Sequence, residues 1–381
     1  MALTLHGTVS DNTAVLSRPN AKPLIINGDM NIAQRATSVT GHTGGGYTTL
    51  DRWRFDVNTL GTWTIAQTAS GPGDTGLTNS FRVDCTTADA SPAAGDYAIY
   101  GTRLEGQDVQ LFKKGTSSAE KMTVSFWVKS NKTGTYIMEI DDNDNARNIN
   151  QAYTISSADT WEKKVLTFAG DTTGAFGNDN GDSLRLLWWL GSGSNFSSGS
   201  LQTAWAGTDN TKRAVGNVNL ADNTANDWSI TGIQMEVGDF DANSIAPFQH
   251  ESFSDSLVRC LRYFQAMAST NGTSVGEGYT SDGASRGATM IAFQPMRANP
   301  TVTLSAVTTL KFQRGTSTSS DCSVFHAGSA NNHQGQNYNN QFNGNFRVHI
   351  DGQTDSNFSG DGDYTRGVAI GDFFCKCDSE L

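Results

Sequence analysis

Two adjacent tryptophans, Trp188 and Trp189, are the least ordinary pair of side chains in the sequence. On a strand their rings point to opposite faces. One is therefore expected in a core. The other then sits at a chain interface or offers a flat face to the C–H groups of a sugar. Trp205 stands in the polar stretch LQTAWAGTDN, an aromatic in a loop, where binding residues concentrate. It is a second stacking candidate. Asn337, Tyr338 and Asn339 belong to the Asn- and Gly-rich run 328–345. Amides there offer both donors and acceptors to sugar hydroxyls, and the same run also suits an interchain or solvated loop. Trp53, Trp127 and Trp228 alternate with polar neighbours and read as core.

Other residues could do chemistry, but their spacing is weak. Asp141, Asp142 and Asp144 form one acidic cluster, and Asp179 and Asp182 another. Oxygen ligands of this kind suit calcium. Neither stretch has the glycine at six and acid at twelve of the twelve-residue calcium loop, so solvated turns are expected. Cys375 and Cys377 share a strand face, with Cys322 and His326 as the obvious further donors. Small buried hydrophobes are the ordinary role of free cysteines. The six histidines form no spaced metal motif, and no nucleophile elbow, P-loop or dinucleotide fingerprint is present. The glycine-rich GHTGGGYTTL precedes a strand, not a helix. Acids are plentiful enough to supply a hydrolytic carboxylate pair, yet the repetitive β-helix that often carries that activity is missing. The expectation is a binding protein, not an enzyme, with no catalytic residue and no required cofactor.

The elements that must position these residues follow from composition. Of 381 residues only 17% are charged and 36% apolar, while 40 are glycine. Asn, Ser and Thr fill the difference. Such a composition suits an all-β chain with many turns, and eight Trp, nine Tyr and 19 Phe can build its core. The net charge of -11 and the lack of a basic block argue against nucleic acid. No apolar run reaches the length of a membrane span, and the first residues, MALTLHGTVSDNT, lack a basic-then-apolar leader. Five scattered cysteines are no disulfide framework, which fits assembly in a reducing cytoplasm.

Along the chain this predicts an all-β fold in four parts. Residues 1–26 form an N-terminal arm. Residues 27–248 form a jelly-roll β-sandwich, beginning with PLIINGDM and continuing through LDRWRFDV, GTWTIAQTA, NSFRVDCTT, MTVSFWVKS, GTYIMEID, WEKKVLTFAG, SLRLLWWLG and DWSITGIQMEVG. A short connecting helix occupies 249–268, where Leu257, Cys260, Leu261 and Phe264 repeat at helical spacing and Ser252 or Ser254 can cap. Residues 269–381 form a C-terminal small β-sandwich, whose last apolar run, FFCKC, is expected to be pinned as a buried strand.

Six segments in series resemble bacteriophage tail-fibre and receptor-binding proteins, most strongly those of marine and freshwater phages. They are NGDMNIAQR, YTTLDRWRF, SFWVKS with GTYIMEI, WSITGIQMEVG, PFQHESFSDSLVRCLRYFQ and MRANPTVT. The arm and the CDSEL ending resemble the same group, and 304–365 matches least. The resemblance implies a virion tail protein, a homotrimer, with a carbohydrate-binding-like jelly roll whose first and last strands lie close together. It implies an arm anchored to other virion proteins and a distal C-terminal domain that meets a host surface glycan or receptor, with no nucleic acid partner and no membrane insertion. By the same analogy, Asn27, Asp29 and Glu236 would hold a structural calcium. Two alternatives stay open: a head fibre, capsid decoration or tail adaptor with a purely structural role, and a polysaccharide depolymerase.

Overall fold

The computed structural model describes residues 22–381 except 271–273, 282–285, 299, 305–309, 315–321, 325–335, 340–345, 354–363 and 370–372. Between 277 and 373 it describes side chains only for 291–298 and 300–303. Most of the expected arm, residues 1–21, lies outside the described residues. The chain divides into two compact units, the first reaching Leu257 and the second running from Val258 to Glu380.

The first unit is an antiparallel sandwich of the jelly-roll kind. In chain order its strands are β1 (Ser38–His42), β2 (Arg54–Asn58), β3 (Thr62–Thr68), β4 (Ser80–Thr87), β5 (Tyr97–Glu105), β6 (Met122–Ser130), β7 (Gly134–Asp142), β8 (Arg147–Ile155), β9 (Glu162–Phe168), β10 (Asp182–Ser192), β11 (Ala206–Gly207) and β12 (Asp227–Val237). One sheet runs β1-β3-β4-β12-β6-β9 and the other β11-β8-β7-β10-β5-β2. Alternation assigns the inner face. Met122, Val124, Phe126 and Val128 of β6 meet Leu184, Leu186, Trp188 and Leu190 of β10 in one core. At its centre Trp53 stacks on Tyr100 with ring centroids 5.1 Å apart, and Phe81 stacks on Tyr100 at 4.2 Å. Trp188 tilts against Trp53 at 6.0 Å. Burying each such ring contributes about 2–3 kcal/mol.

Three expectations change here. PLIINGDM is not a strand but a buried turn. Asn27, at φ 56, holds it: its amide donates to the carbonyls of Ile32 and Asp51 at 2.9 Å and its oxygen accepts from Ile32 N. Trp127 is not core. It lies on the outer side of β6, half-exposed, because Phe126 and Val128 take the inner positions. The sequence reading also passed over β1, β5 and β8. The β8 segment RNINQAYTI is amide-rich and reads as a turn, but pairing along all of β7 makes it a strand. The close approach of the chain's entry and the last strand does hold. Ile233 N donates to Gly28 O at 2.9 Å, and a Cβ on Gly28 would stand 2.2 Å from Ile233 O, so only glycine fits.

The helix is shorter than its apolar spacing suggests. It is α2 (Phe253–Leu261) in a chain whose first helix is the single turn α1 (Ser194–Ser197). Ser252 caps α2, its Oγ accepting from Asp255 N at 3.1 Å. Beyond it the chain turns, and Phe264 belongs to a strand instead of the fourth stripe position. The reason is a partner: β13 (Phe264–Ser269) pairs residue by residue with the terminal strand.

The second unit contains β14 (Ser274–Ser281), β15 (Arg286–Phe293), β16 (Thr301–Leu304), β17 (Leu310–Arg314), β18 (Cys322–Val324), β19 (Gln336–Asn339), β20 (Phe346–Gln353), β21 (Tyr364–Ala369) and β22 (Phe373–Asp378). Two antiparallel sheets form, β13-β22-β16 and β18-β17-β21-β14-β15-β20-β19. As expected, the terminal run is central, with Cys375 and Cys377 buried on one face of β22. The side chains of Cys322 and His326 lie outside the described residues.

Candidate functional site

The outer face of the second sheet of the sandwich carries the most elaborate constellation of polar groups. Register alone assembles it. Arg103 of β5 lies opposite Arg185 of β10, which lies opposite Asp141 of β7, which lies opposite Asn148 of β8. Four polar side chains thus form a line across four strands, roughly 15 Å long at ~4.8 Å per strand. Like charges directly opposite repel, so Arg103 and Arg185 need a shared counter-ion. Asp182 supplies it. Its Oδ2 accepts from Arg103 Nη1 at 3.0 Å and from Arg185 Nε and Nη2 at 2.9 and 2.7 Å. Arg185 Nη1 also reaches Asp141 Oδ2 at 3.4 Å. At the near edge Arg54 makes a bidentate pair with Asp56, at 2.5 and 2.6 Å, and its guanidinium lies 5.4 Å from the centre of the Tyr47 ring.

The side chains of Arg54, Arg103 and Arg185 are 18–25% exposed. They are part-buried and are not loose surface groups. Burial pulls the Arg103 guanidinium below its usual value, against Asp182, and pushes the Asp141 carboxyl above the usual range, against Arg213 and Arg185. Among the described residues the buried atoms Asp182 Oδ1 and Asn148 Nδ2 have no hydrogen-bond partner; Asn148 is fully buried, and its Oδ1 accepts from Gln202 Nε2 at 2.8 Å.

The other half of this face is closed. The segment after β10, including α1, lays Phe196, Leu201 and Ala214 over Ile99, Ile137, Leu187 and Trp189. Both tryptophans of the 188–189 pair are therefore buried, and neither is a sugar platform. Trp189 Nε1 donates to Glu139 Oε2 at 2.8 Å, and Arg213 pairs with Glu139 at 2.9 Å while its guanidinium lies 5.3 Å from the Trp189 ring. Glu139 is completely buried, and desolvation raises its pKa despite Arg213.

Trp205 is also tied down. Its Nε1 donates to Ala169 O at 2.6 Å and its ring lies 5.3 Å from Lys114 Nζ. Lys114 is fully buried and sits in an oxygen cage. It pairs with Asp142 at 2.5 Å and Asp171 at 3.1 Å and donates to the carbonyls of Thr173 and Gly174 at 2.8 and 2.7 Å. Trp205 covers this ammonium and is partly buried against the core. The acidic clusters are solvated turns only in part. Asp144 and Asp179 are exposed turn residues that accept from Gly177 N and Gly181 N, whereas Asp141 and Asp182 hold the arginines of this face and Asp142 holds Lys114.

The calcium expectation is corrected as well. The Asn27 amide is spent on backbone, and Asp29 accepts from Asn31 Nδ2 at 2.5 Å with burial raising its pKa. Glu236 lies on the outer side of β12, opposite Thr123. Among the described residues no three His, Cys, Asp or Glu side chains converge as a metal site. Asn337, Tyr338 and Asn339 lie on β19, but their side chains are outside the described residues. The sequence reading missed Arg54, Arg103 and Arg185. Arg185 did carry a signal, as the one charged residue inside the apolar run SLRLLWWLG, but only register shows what it faces.

No protein-family model and no curated protein matches the chain. Several solved structures are similar over 52–58% of its length. The bacteriophage CBA120 tailspike protein 4 enzymatically active domain is 11% identical at a TM-score of 0.30, covering 56% of this chain. The similar stretch spans 21% of that tailspike chain. A family 11 carbohydrate-binding module of a Clostridium thermocellum cellulosomal cellulase is 10% identical at 0.26, covering 52% of this chain and 98% of its own. TmCBM61, solved with β-1,4-galactotriose, is 7% identical at 0.29, covering 57% and 99%. At such scores the chain's own residues carry the functional reading.

Proposed function

We propose that this chain is a glycan-binding attachment protein of a phage virion, and that the open half of the second sheet's outer face holds the glycan. The observation that carries this reading is the part-buried pair Arg103 and Arg185, bridged by Asp182 on this outer face. Their planar donors, already oriented by that carboxylate, can bond sugar hydroxyls at little further ordering cost. Binding, not hydrolysis, is the role proposed, since Asp141 and Asp182 are both engaged by arginines. The six segments shared in order with tail-fibre proteins favour a virion tail location. A homotrimer would multiply weak single sites through effective concentration.

Adsorption competition tests this. Host cells saturated with the purified chain should lose virion adsorption, and the Arg185→Ala chain should fail to compete while folding normally by circular dichroism. Undiminished adsorption in the presence of the wild-type chain, with the protein found on the capsid of labelled virions, would instead favour the decoration reading.

A further inference from the structure

The first sheet has its own outward chemistry, remote in the sandwich from the arginine face. Five of the eight tryptophans are buried, but Trp127 and Trp161 are half-exposed. Register arranges them with two lysines. Trp127 of β6 lies opposite Lys163 of β9. Lys129, two residues further on the same face, stands against Trp161 with its Nζ 5.3 Å from the ring centre. The result is a two-by-two lattice of indoles and ammoniums on the sheet surface.

Trp127 is held in place. Strand β12 bulges beside it, between Thr231 and Gln234. Gly232 within the bulge has φ +61, and a Cβ there would lie 2.5 Å from Leu77 Cδ1 and 3.1 Å from Trp127 Cδ1. Thr231, directly opposite Trp127, is fully buried, and its Oγ1 has no hydrogen-bond partner. The charges are also unspent. Among the described residues neither Lys129 nor Lys163 forms an ion pair, and burial lowers the Lys163 pKa. Of the carboxylates around the lattice, Asp84 and Asp227 contact Arg82 at 2.6 and 3.4 Å, and Asp159 is exposed on the turn whose N–H donates to Ser130 O at 2.9 Å. Lys129 feels Asp227 only through its field. On a chain of net charge -11, two ammoniums without ion pairs among the described residues, beside two half-exposed indoles, are a specific arrangement.

We propose that this lattice is a second carbohydrate site, selective for a uronate-containing glycan. The pyranose C–H face stacks on Trp127 and Trp161, and the uronate carboxylate is received by Lys163 and Lys129. Aromatic faces supply apolar contact area at low entropic cost, and charge-assisted hydrogen bonds supply the preference for an acidic sugar.

The probe is oligogalacturonate, titrated into the full chain by calorimetry with a neutral malto-oligosaccharide as control. Wild type should bind the uronate oligomer and prefer it to the neutral one. Lys163→Gln and Trp127→Ala should each weaken it about tenfold, the equivalent of ~1.4 kcal/mol. Lys163→Gln is a surface change, so it keeps the test valid if Trp127→Ala fails to fold. Absence of oligogalacturonate binding by the wild type would overturn the proposal. So would equal binding of the neutral oligomer, or loss of binding in Arg185→Ala with retention in Lys163→Gln, which would assign the oligomer to the arginine face. The site does not rest on that face, and the two readings fail separately.

Discussion

Trp189 shows how a single residue's meaning depends on what covers it. Strand alternation correctly places it opposite Trp188, on the outer face of its sheet. A segment distant in register then buries it against Phe196 with its indole N–H on Glu139. Trp189→Ala should therefore cost ~3–5 kcal/mol, as for any buried aromatic, measurable by urea unfolding. A surface platform would lose almost nothing. Asp141 gives a prediction with a definite sign. Burial raises its pKa above 3.8, so the folded state holds this proton more tightly than the unfolded one. Its ionisation then costs stability as pH rises from its unfolded value through its folded one. Asp141→Asn escapes that cost. Its stability relative to wild type should improve as pH rises above ~4, the unfolded value, through the raised folded value, in parallel urea titrations, whatever its absolute value. A constant difference would contradict the burial argument. Residue types made the buried aromatics legible. They could not separate Trp127, which is outward, from Trp53, because both alternate with polar neighbours.

At the scale of elements, most strands rich in β-branched and aromatic residues were legible, but β5 (YAIYGTRLE) was passed over despite its aromatics, and the amide-rich β8 was not legible. Its strand identity comes from β7, a tertiary partner that no local pattern shows. The helix was overextended for the same reason: Phe264 fits a helical stripe, and pairing with β22 overrides it. Two element junctions make predictions. Gly28→Ala would drive a methyl group into Ile233 O, a backbone atom that cannot swing away. It should lower the thermal midpoint by the equivalent of ~1–3 kcal/mol or more. Lys114→Met removes the ammonium that joins Asp142, Asp171 and the 173–174 carbonyls. Asp171 keeps Arg147 at 2.7 Å, but Asp142 is left buried without its cation. A loss of ~3–5 kcal/mol is expected. Retention of full stability in urea would show that the cage is not a structural clamp.

For the whole molecule, the sequence foretold the all-β class, a helix within 249–268 and a pinned terminal strand, because these follow from composition, capping and end effects. The candidate site was not legible, since its arginines and acids come from strands far apart in sequence. Arg103, Asp141 and Arg185 become neighbours only through the order β7-β10-β5. The chain is net acidic, and among the described residues few large apolar side chains are exposed; under the proposed attachment role, the sandwich would present its arginine face to the glycan. The most direct measurement is a glycan microarray probed with the full wild-type chain beside Arg185→Ala and Arg103→Ala, all three checked for equal thermal stability. The account predicts a defined set of glycans bound by wild type and lost in both variants. Equal binding by all three chains, or none by the wild type, would contradict it.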